Sequence, residues 1–378
     1  MYNPFKPKKK IKIAIITNIP TPYRKKQWEY YSNCEYLDIT VFYCANIEKD
    51  RYWNVDSSEG IKEVFLRGIS FRSFHFNPGV LKTVFQDFDA FFVGGYGYPS
   101  VLMSIFALKL LKKPWVMIID GICPLNLKKG NFIIEKIKKT LINGADAYFA
   151  NGTVSAKYLE KYEVPPKKIF NQYMTVDVDY FVKKGNDASK FRSEIRKKYD
   201  INENSVVIMY AGRLIEHKGV QDLIKSVKNL KNRNINVKTL IVGEGNFKKE
   251  LIKQSEDIRE EVIFAGHVDP AEIYKYYYAS DIFVLPTYDD PWGLVVNEAM
   301  ACGLPVIVTD ATGCFLDLVK DNGYIVKSHD ICELSLSIEK AMKNSVKLGN
   351  NSYKQILGWN YEHSLMNIIN LICYITSL

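Results

Sequence analysis

The sequence predicts an α/β protein with two doubly wound parallel-sheet domains that face each other across a cleft. The 378 residues are too many for one ordinary hydrophobic core. Short apolar runs alternate with longer helical patterns, and the alternation starts again after a polar stretch at 183–204. Because open α/β sheets bind ligands outside the carboxyl ends of their strands, we expect the functional site between the two domains.

The first alternating series predicts an N-terminal domain over residues 1–182. Its apolar runs are nearly continuous, as expected for strands that are buried on both faces. The predicted strands are 11–17, 37–44, 89–93, 115–120, 146–150 and 169–173. The predicted helices are 23–32, 100–112, 131–143 and 153–163.

The second series predicts a C-terminal domain over residues 205–357. Residues 183–204 are polar and charged, contain a Gly-Asn-Asp turn sequence, and are predicted to be a linker. The predicted strands are 205–210, 237–242, 262–265, 282–286, 305–308 and 324–326. The predicted helices are 220–232, 247–256, 270–279, 294–302 and 331–343.

The net charge of +9 is concentrated in the first half of the chain. Such a basic face attracts anionic lipid, phosphorylated ligands or nucleic acid, and a merely solvated lysine-rich surface is the open alternative. The clustered cations are Lys6, Lys8, Lys9, Lys10, Lys12, Arg24, Lys25, Lys26, Lys109, Lys112, Lys113, Lys128, Lys129, Lys136, Lys138 and Lys139.

Cysteine spacing and hydropathy give expectations about the cellular compartment of the protein and about membrane spans. The seven cysteines show no metal-ligand spacing, which favours a reducing cytoplasm. The apolar run at 11–16 is short and lacks a small-residue cleavage site, unlike a signal peptide. The run at 100–111 is well below the roughly 20 residues that a membrane span needs, so we expect no transmembrane helix.

Two cations follow the first predicted strand of the second domain. Arg213 and Lys218 lie five residues apart across a loop and can converge on one anion, the former as a bidentate fork and the latter as a point charge. Gly212 and Gly219 permit tight turns around them. Two solvated cations near a helix start are an equal alternative on these residues alone.

A helix start with two carboxylates follows the fourth predicted strand. Backbone N–H groups near Gly293 would face the cleft and form a phosphate site that the helix dipole favours. Asp290 and Glu298 are eight residues apart, so they would serve different parts of a ligand. For Glu298 alone, an ordinary surface carboxylate is the alternative.

Two further strand ends carry weaker patterns. Gly243 follows a strand within a Gly-Glu-Gly turn, for which a tight turn is slightly favoured over close approach to a ligand. His267 and Val268 follow another strand, where backbone groups can read the edge of a nucleobase. The side chain of His267 is interpreted as that of an ordinary loop histidine.

Together these motifs resemble glycosyltransferase family 4, whose members have the GT-B fold of two Rossmann-like domains. The resemblance covers residues 205 to about 326 in order and spacing. It extends weakly to 150–155 and 175–181, which resemble the end of the family's first domain. Residues 358–361 resemble the aromatic element from which the last helix, here 358–378, returns to the N-terminal domain.

The resemblance implies roles for the matching residues. Arg213 and Lys218 are implied to bind the donor diphosphate and to neutralise charge as the nucleotide leaves. Glu298 is implied to hold the ribose, whereas Asp290 stands where the family usually has glutamate and is one methylene shorter. The implied donor-binding set is Gly212, Gly243, His267, Val268, Trp292, Gly293, Leu294, Val295 and Glu298.

The N-terminal domain departs from the family's pattern. The loop after its first strand has no glycine, so Tyr23 and Arg24 are expected to contribute side-chain contacts on the acceptor side. Gly95 and Tyr96 follow a strand and are expected to line the cleft. Asp120 falls where many members carry a sugar-contacting histidine; a catalytic contact to sugar or acceptor and a capping role are equally favoured.

We therefore expect a cytoplasmic, bacterial-type retaining glycosyltransferase. It would move a hexosyl or N-acetylhexosaminyl group from a nucleotide-diphosphate sugar, with UDP the expected nucleotide. The acceptor would be a glycan or lipid-linked saccharide in cell-surface polysaccharide or glycoconjugate biosynthesis. The family implies no cofactor and no metal, because arginine, lysine and the helix dipole supply the positive charge.

The expected partners include an anionic membrane at the inner face of the plasma membrane, with 100–113 and 133–142 as candidate contact elements. Core packing against the sheet is the alternative for both, and it is favoured for 100–111. Nucleic acid is not an expected partner, because no recognition motif accompanies the charge. Two alternatives stay open: a nucleotide-sugar epimerase of the same fold, and a catalytically weak binding or scaffold subunit. Turnover without an acceptor would identify the first, and donor binding without turnover the second.

Overall fold

The computed structural model describes residues 9–47, 60–71, 74–128 and 130–376. Of the cations named above, Lys6, Lys8 and Lys129 lie outside these ranges. The described chain forms two α/β domains, each built on its own parallel sheet, with a cleft between them. This confirms the predicted fold class.

The described part of the N-terminal domain has a seven-stranded parallel sheet of order β3-β2-β1-β6-β7-β8-β9. A two-stranded antiparallel hairpin, β4–β5, lies beside it. The strands are β1 (Ile11–Thr17), β2 (Leu37–Tyr43), β3 (Lys62–Phe65), β4 (Ile69–Phe71), β5 (Phe74–Phe76), β6 (Ala90–Gly94), β7 (Trp115–Ile119), β8 (Ala147–Ala150) and β9 (Ile169–Asn171). The helices are α1 (Pro22–Ser32), α2 (Val80–Val84), α3 (Pro99–Leu111), α4 (Phe132–Ile142) and α5 (Gly152–Lys161).

The described part of the C-terminal domain has a six-stranded parallel sheet of order β12-β11-β10-β13-β14-β15. Its strands are β10 (Val206–Ala211), β11 (Val237–Val242), β12 (Val262–Gly266), β13 (Ile282–Leu285), β14 (Val306–Thr309) and β15 (Gly323–Val326). The helices are α6 (Val178–Lys184), α7 (Ala188–Lys198), α8 (Val220–Asn232), α9 (Lys248–Gln254), α10 (Ile273–Ala279), α11 (Leu294–Ala301), α12 (Phe315–Leu318), α13 (Ile331–Ile356) and α14 (Tyr361–Thr376).

Strand order explains where the cleft lies. Each chain half starts in the middle of its sheet and reverses direction once, between β1 and β6 and between β10 and β13. At such a switch point the loops leave in opposite directions and open a crevice at the carboxyl ends of the strands. The two crevices face each other.

The segment predicted as a linker at 183–204 is mostly helical, with α7 covering Ala188–Lys198. Phe191 and Ile195 of α7 are buried against the C-terminal core. The fully buried Arg196 donates to the carbonyls of residues 202, 203 and 205 and pairs with Asp281. This mostly polar segment therefore contains an amphipathic helix. Its Gly-Asn-Asp sequence forms one 3-10 turn.

The elements absent from the sequence prediction are mostly short or at an edge. Strand β3 lies at the edge of the N-terminal sheet and begins with two charged residues, Lys62 and Glu63, so its apolar run is only Val64 and Phe65. The hairpin strands β4 and β5 have three residues each, and α2 has five. Helix α13 also continues past the predicted end at 343, through a non-helical backbone at Asn344.

Contacts between the domains hold the cleft in place. The side chain and the backbone N–H of Thr153, at the start of α5, donate to Asp317 of α12 at 2.6 and 2.8 Å. The Trp292 ring lies against Gly152 of the N-terminal domain, where an added Cβ would approach it to 2.6 Å, and it stacks on Trp359 within the C-terminal core with ring centroids 5.3 Å apart. Helix α14 then crosses back and buries Ile368 and Ile372 against the N-terminal sheet.

Candidate functional site

The carboxyl ends of both sheets line one cavity of about 590 Å³. The N-terminal domain contributes the ends of β1, β6 and β7, and the C-terminal domain the ends of β10 and β13 and the start of α11. Among the predicted site residues, the lining includes Tyr23, Arg24, Gly95, Tyr96, Asp120, Gly212, Lys218, Asp290, Trp292, Gly293, Leu294 and Val295. Within the described residues, Arg213, Gly243, His267, Val268 and Glu298 lie outside this lining.

Lys218 and Asp290 form an ion pair at the C-terminal wall of the cavity. The Lys218 ammonium lies 2.7 Å from Asp290 Oδ2 and 3.3 Å from the carbonyl oxygen of Asp289. The other oxygen of Asp290 accepts from the backbone N–H of Trp292 at 3.0 Å. Asp290 therefore ties the lysine to the loop that opens α11. A multivalent anion such as a diphosphate competes with Asp290 for the same ammonium.

Arg213 lies at the rim of this wall with an exposed side chain. Its carbonyl accepts from the phenol of the buried Tyr210 at 2.9 Å. Burial raises the pKa of Tyr210, the charge of Asp290 raises it further and that of Arg213 lowers it. Both charges therefore act on this buried phenol, and Arg213 directly follows Gly212 of the cavity lining.

The start of α11 opens into the cavity. Gly293 precedes the helix with φ of +87°, a left-handed conformation that favours glycine, and an added Cβ would approach Leu285 to 2.8 Å. Leu294 and Val295 follow in the cavity lining. The first backbone N–H groups of a helix have no intrahelical acceptor, so this end can hold an anion.

Trp292 contributes to the cavity in another way than expected. Its side chain is buried, donates from Nε1 to Asn297 Oδ1 at 3.1 Å, and stacks on Trp359. The indole is therefore part of the packing between the domains. Its backbone remains next to the loop that carries Asp290.

Glu298 lies one helical turn beyond the start of α11. Its Oε2 accepts from the phenol of Tyr277 at 2.7 Å, and Tyr277 is fully buried. Desolvation raises the pKa of Glu298 to about 7, although the bond from Tyr277 opposes the rise. The carboxyl therefore titrates near neutrality, and its remaining lone pairs can accept from a hydroxyl.

Of the remaining predicted donor-binding residues in the described chain, Gly212 lines the cavity, whereas Gly243, His267 and Val268 do not. Gly243 packs directly on Gly212, because an added Cβ at Gly243 would lie 1.9 Å from the carbonyl oxygen of Gly212. His267 is exposed, and Val268 packs against the C-terminal core. Gly243 thus supports the loop that bears Gly212.

Across the cavity, Arg24 and Asp120 form a second ion pair. Arg24 Nε donates to Asp120 Oδ2 at 3.1 Å, and its Nη2 contacts Oδ1, so the guanidinium forks onto the carboxylate. Arg24 is only 5% exposed, whereas the Asp120 side chain is 46% exposed. Arg24 thus supports Asp120 from beneath and also lines the cavity, and its contact with an acceptor stays a prediction. Tyr23 lies beside it in the lining.

Tyr96 and Gly95 complete the N-terminal wall. The Tyr96 phenol lies 2.5 Å from that of Tyr158, which binds it to α5 and directs its polar end away from the cavity. Gly95 has φ of +72° and open space around its missing Cβ. This wall therefore offers an aromatic face and room for a bulky ligand.

Comparison with known proteins identifies the architecture. The chain superposes on the crystal structure of Anabaena Alr3699/HepE in complex with UDP with a TM-score of 0.72 at 17% identity, over 96% of this chain and 98% of that one. It also superposes on a glycosyltransferase from Rickettsia africae with a TM-score of 0.75 at 17% identity, over 97% and 98%. The fold is GT-B.

The C-terminal GT-B domain also resembles known families in sequence. Residues 191–355 match the family model described as Glycosyl transferases group 1, which is less than half of the chain. The capsular polysaccharide biosynthesis glycosyltransferase CapM of Staphylococcus aureus is 31% identical over 175 residues, 43% of this chain and 45% of that relative. The chain spans about a third to a half of the length of the curated relatives it matches.

Sequence reasoning missed the residues that support this GT-B site from behind. Tyr277 holds Glu298, and Tyr210 underlies Arg213. Gln172 lies against Arg24, and its amide oxygen accepts from the guanidinium. Each is far in sequence from its partner or lies in an apolar run, so no spacing indicates the contact.

Proposed function

We propose that this chain is a retaining glycosyltransferase that uses a nucleotide-diphosphate sugar, with UDP the expected nucleotide. The acceptor is a glycan or lipid-linked saccharide in cell-surface polysaccharide or glycoconjugate biosynthesis. One observation carries the proposal: the Lys218–Asp290 pair and the start of α11 meet at one cavity, opposite the Arg24–Asp120 pair. The group 1 match and the likeness to CapM support this activity.

In this proposal the diphosphate lies between Lys218, Arg213 and the N–H groups at 293–295. Lys218 leaves Asp290 for a phosphate oxygen, and Asp290 becomes free to accept a hydroxyl of the transferred sugar. These cations and the helix dipole stabilise the charge that develops on the departing nucleotide, so no metal and no cofactor are invoked. Glu298 accepts from the ribose hydroxyls.

Retention follows from attack on the face from which the nucleotide departs. The acceptor oxygen forms its bond to the anomeric carbon as the bond from that carbon to the diphosphate oxygen breaks. The hydroxyl proton passes to the phosphate oxygen that leaves, so the step needs no separate base. The carboxylates then serve to orient the sugar, as hydrogen-bond acceptors.

A membrane-facing role for the N-terminal domain has support from an exposed apolar surface. Phe132, Ile133 and Ile137 of α4 are 55–80% exposed, and Phe106 and Leu110 of α3 are 66% and 83% exposed. We call these five residues the α3–α4 apolar face. Lys109 of α3 reaches the carbonyls of residues 140 and 143, so the two helices are neighbours.

An apolar surface of this kind suits an anionic bilayer, because exposed Lys136 lies within it. Two other lysines expected to face the membrane have acidic partners: Lys138 with Glu135 and Lys139 with Glu163. The apolar side chains therefore contribute more than the expected charge. No helix of the described residues is both long and apolar enough to cross a membrane.

The proposal is tested by thermal shift of the full chain against nucleotides and nucleotide sugars. A ligand that binds only the folded state raises the melting temperature, so UDP or GDP and their sugars should stabilise the protein, while AMP serves as a control. Released nucleotide is then assayed with and without saccharide acceptors. Absence of stabilisation by every nucleoside diphosphate would contradict the proposal. Conversion of the nucleotide sugar into its epimer without an acceptor and without net nucleotide release would favour an epimerase, and binding without turnover a scaffold subunit.

A further inference from the structure

We propose that Arg24 holds Asp120 as a fixed hydrogen-bond acceptor for a hydroxyl of the transferred sugar, so that the site takes neutral sugars and rejects those that carry a carboxylate. This inference rests on the proposed function and deepens it by naming the sugar class. Asp120 would be the contact residue, and Arg24 a positioning residue that acts through it.

The ion pair has an inner and an outer member. Arg24 lies in the first turn of α1 and is buried, whereas Asp120 follows β7 and keeps nearly half of its side chain exposed in the cavity. The guanidinium contacts both oxygens of the carboxylate. Such a fork fixes the plane of the carboxylate, so its remaining lone pairs have one direction.

The other donors of Arg24 are also directed into the protein. Its Nη groups donate to the side-chain amide oxygen of Gln172. Its guanidinium carbon is 5.8 Å from the centroid of the Trp28 ring. The cationic member of the pair is thus nearly buried and already paired at the cavity wall, and a ligand at this point meets the more exposed oxygens of Asp120.

Asp120 lies beside the loop that carries the opposite ion pair. A Cβ on the next residue, Gly121, would approach the carbonyl oxygen of Pro291 to 2.5 Å. Pro291 follows Asp290, whose carboxylate pairs with Lys218 in the same lining. With the diphosphate on Lys218 and the ribose toward Glu298, the transferred sugar lies between Asp290 on the C-terminal wall and Asp120 on the N-terminal wall.

The chemistry of the pair selects among sugars. A hydroxyl can donate to Asp120, and a hydrogen bond to a charged group changes affinity by about 10- to 100-fold. A hexuronate in the same position brings its own carboxylate, which has no proton to donate, against that of Asp120. The guanidinium that would compensate is buried and already paired.

The test compares matched donors that differ only in this group. Binding of UDP-glucose and UDP-glucuronate, and of GDP-mannose and GDP-mannuronate, is measured by calorimetry on the full chain, with UDP and GDP alone as references. We expect the wild type to bind the neutral member of the preferred pair at least about tenfold more tightly. In the Asp120→Asn variant, the affinities for the neutral donor and for its hexuronate partner should differ by no more than about threefold, because an amide also offers N–H donors to a carboxylate. The substitution should leave the affinity for the free nucleotide unchanged.

Arg24→Lys keeps the positive charge but loses the fork. It should also reduce the difference in affinity between the neutral donor and its hexuronate partner, while the affinity for the free nucleotide stays unchanged. A purely structural role would not produce this combination. Asp87→Asn is the matched control, since Asp87 is an exposed aspartate paired with Lys12 outside the cavity lining, and should change nothing.

Two outcomes would overturn the inference alone: a wild type that binds the hexuronate donor as tightly as its neutral partner, or an Asp120→Asn variant with an unchanged ratio, while the nucleotide still binds. A wild type that binds no nucleoside diphosphate would contradict the proposed function and this inference together. The two failures are therefore distinguishable by the reference titration.

Discussion

The two domains offer the cleft different kinds of chemistry. The C-terminal domain contributes backbone and positive charge, through the glycine-opened start of α11 and Lys218. The N-terminal domain contributes side chains, with the Arg24–Asp120 pair and the aromatic ring of Tyr96. A diphosphate needs close backbone approach and cations, whereas a sugar needs placed hydrogen-bond acceptors. The difference teaches that one wall is suited to the nucleotide and the other to the choice of sugar and acceptor.

The largest expected effect comes from Lys218→Ala in the C-terminal wall. Removing the ammonium takes away charge stabilisation of the leaving diphosphate and should lower the rate of nucleotide release on the order of 100- to 1,000-fold. The measurement is initial rate with the donor found by thermal shift. Lys225→Ala, an exposed lysine of α8, is the control and should retain the wild-type rate. A Lys218→Ala rate within threefold of wild type would remove this wall from the mechanism.

The next largest effect concerns membrane binding, for which the outer surfaces of the two domains are compared. Ile133→Ser with Ile137→Ser should reduce sedimentation with phosphatidylglycerol vesicles by about tenfold, because each exposed aliphatic side chain contributes on the order of 1 kcal/mol when it enters the interface. Val346→Ser, an exposed aliphatic residue on α13, should not change sedimentation. Equal vesicle binding by both variants would exclude the α3–α4 apolar face as the membrane contact.

Titration of Glu298 gives the C-terminal wall a pH signature. Desolvation raises its pKa from 4.5 to about 7, so the folded protein keeps a proton that the unfolded chain has released between these values. The free energy of unfolding should therefore fall as pH rises from 4.5 to 7, by on the order of 1 kcal/mol per pH unit.

Glu298→Gln should flatten this pH dependence in urea unfolding experiments, because an amide does not titrate. Glu160→Gln, an exposed glutamate on α5, should keep the wild-type slope. If all three proteins lose stability in parallel, the group that titrates lies elsewhere.

The smallest effect concerns the contact that joins the domains. Thr153→Val removes the hydroxyl that donates to Asp317 and should lower the free energy of unfolding by about 1 kcal/mol. Thr140→Val, whose hydroxyl bonds within exposed α4, should cost less than about 0.5 kcal/mol. A Thr153→Val loss no greater than that of Thr140→Val would mean that this contact does not stabilise the closed cleft.

The sequence predicts the C-terminal wall better than the N-terminal one for a physical reason. Glycines at strand ends and a cation between them are local features, so Gly212, Lys218 and Gly293 can be found from their spacing. The Arg24–Asp120 pair joins residues 96 positions apart, and its burial depends on Gln172 from a third segment. The spacing of residues in the sequence therefore does not indicate that Arg24 pairs with Asp120.

The elements that the sequence prediction missed also lack a local signal in the sequence. Continuous apolar runs reveal central strands, but the edge strand β3 and the hairpin β4–β5 have no such run. The sequence of helix α7 is interpreted as a polar linker because only two apolar residues, Phe191 and Ile195, lie on its buried face beside an arginine. Its role emerges only when Arg196 meets Asp281 from the neighbouring loop.

The central claim is best tested by a crystal structure of the full chain with UDP. The account predicts the diphosphate between Lys218 Nζ and the backbone N–H groups of residues 293–295, with Lys218 moved from Asp290 to a phosphate oxygen. A diphosphate held elsewhere, with the Lys218–Asp290 pair intact at saturating UDP, would contradict it.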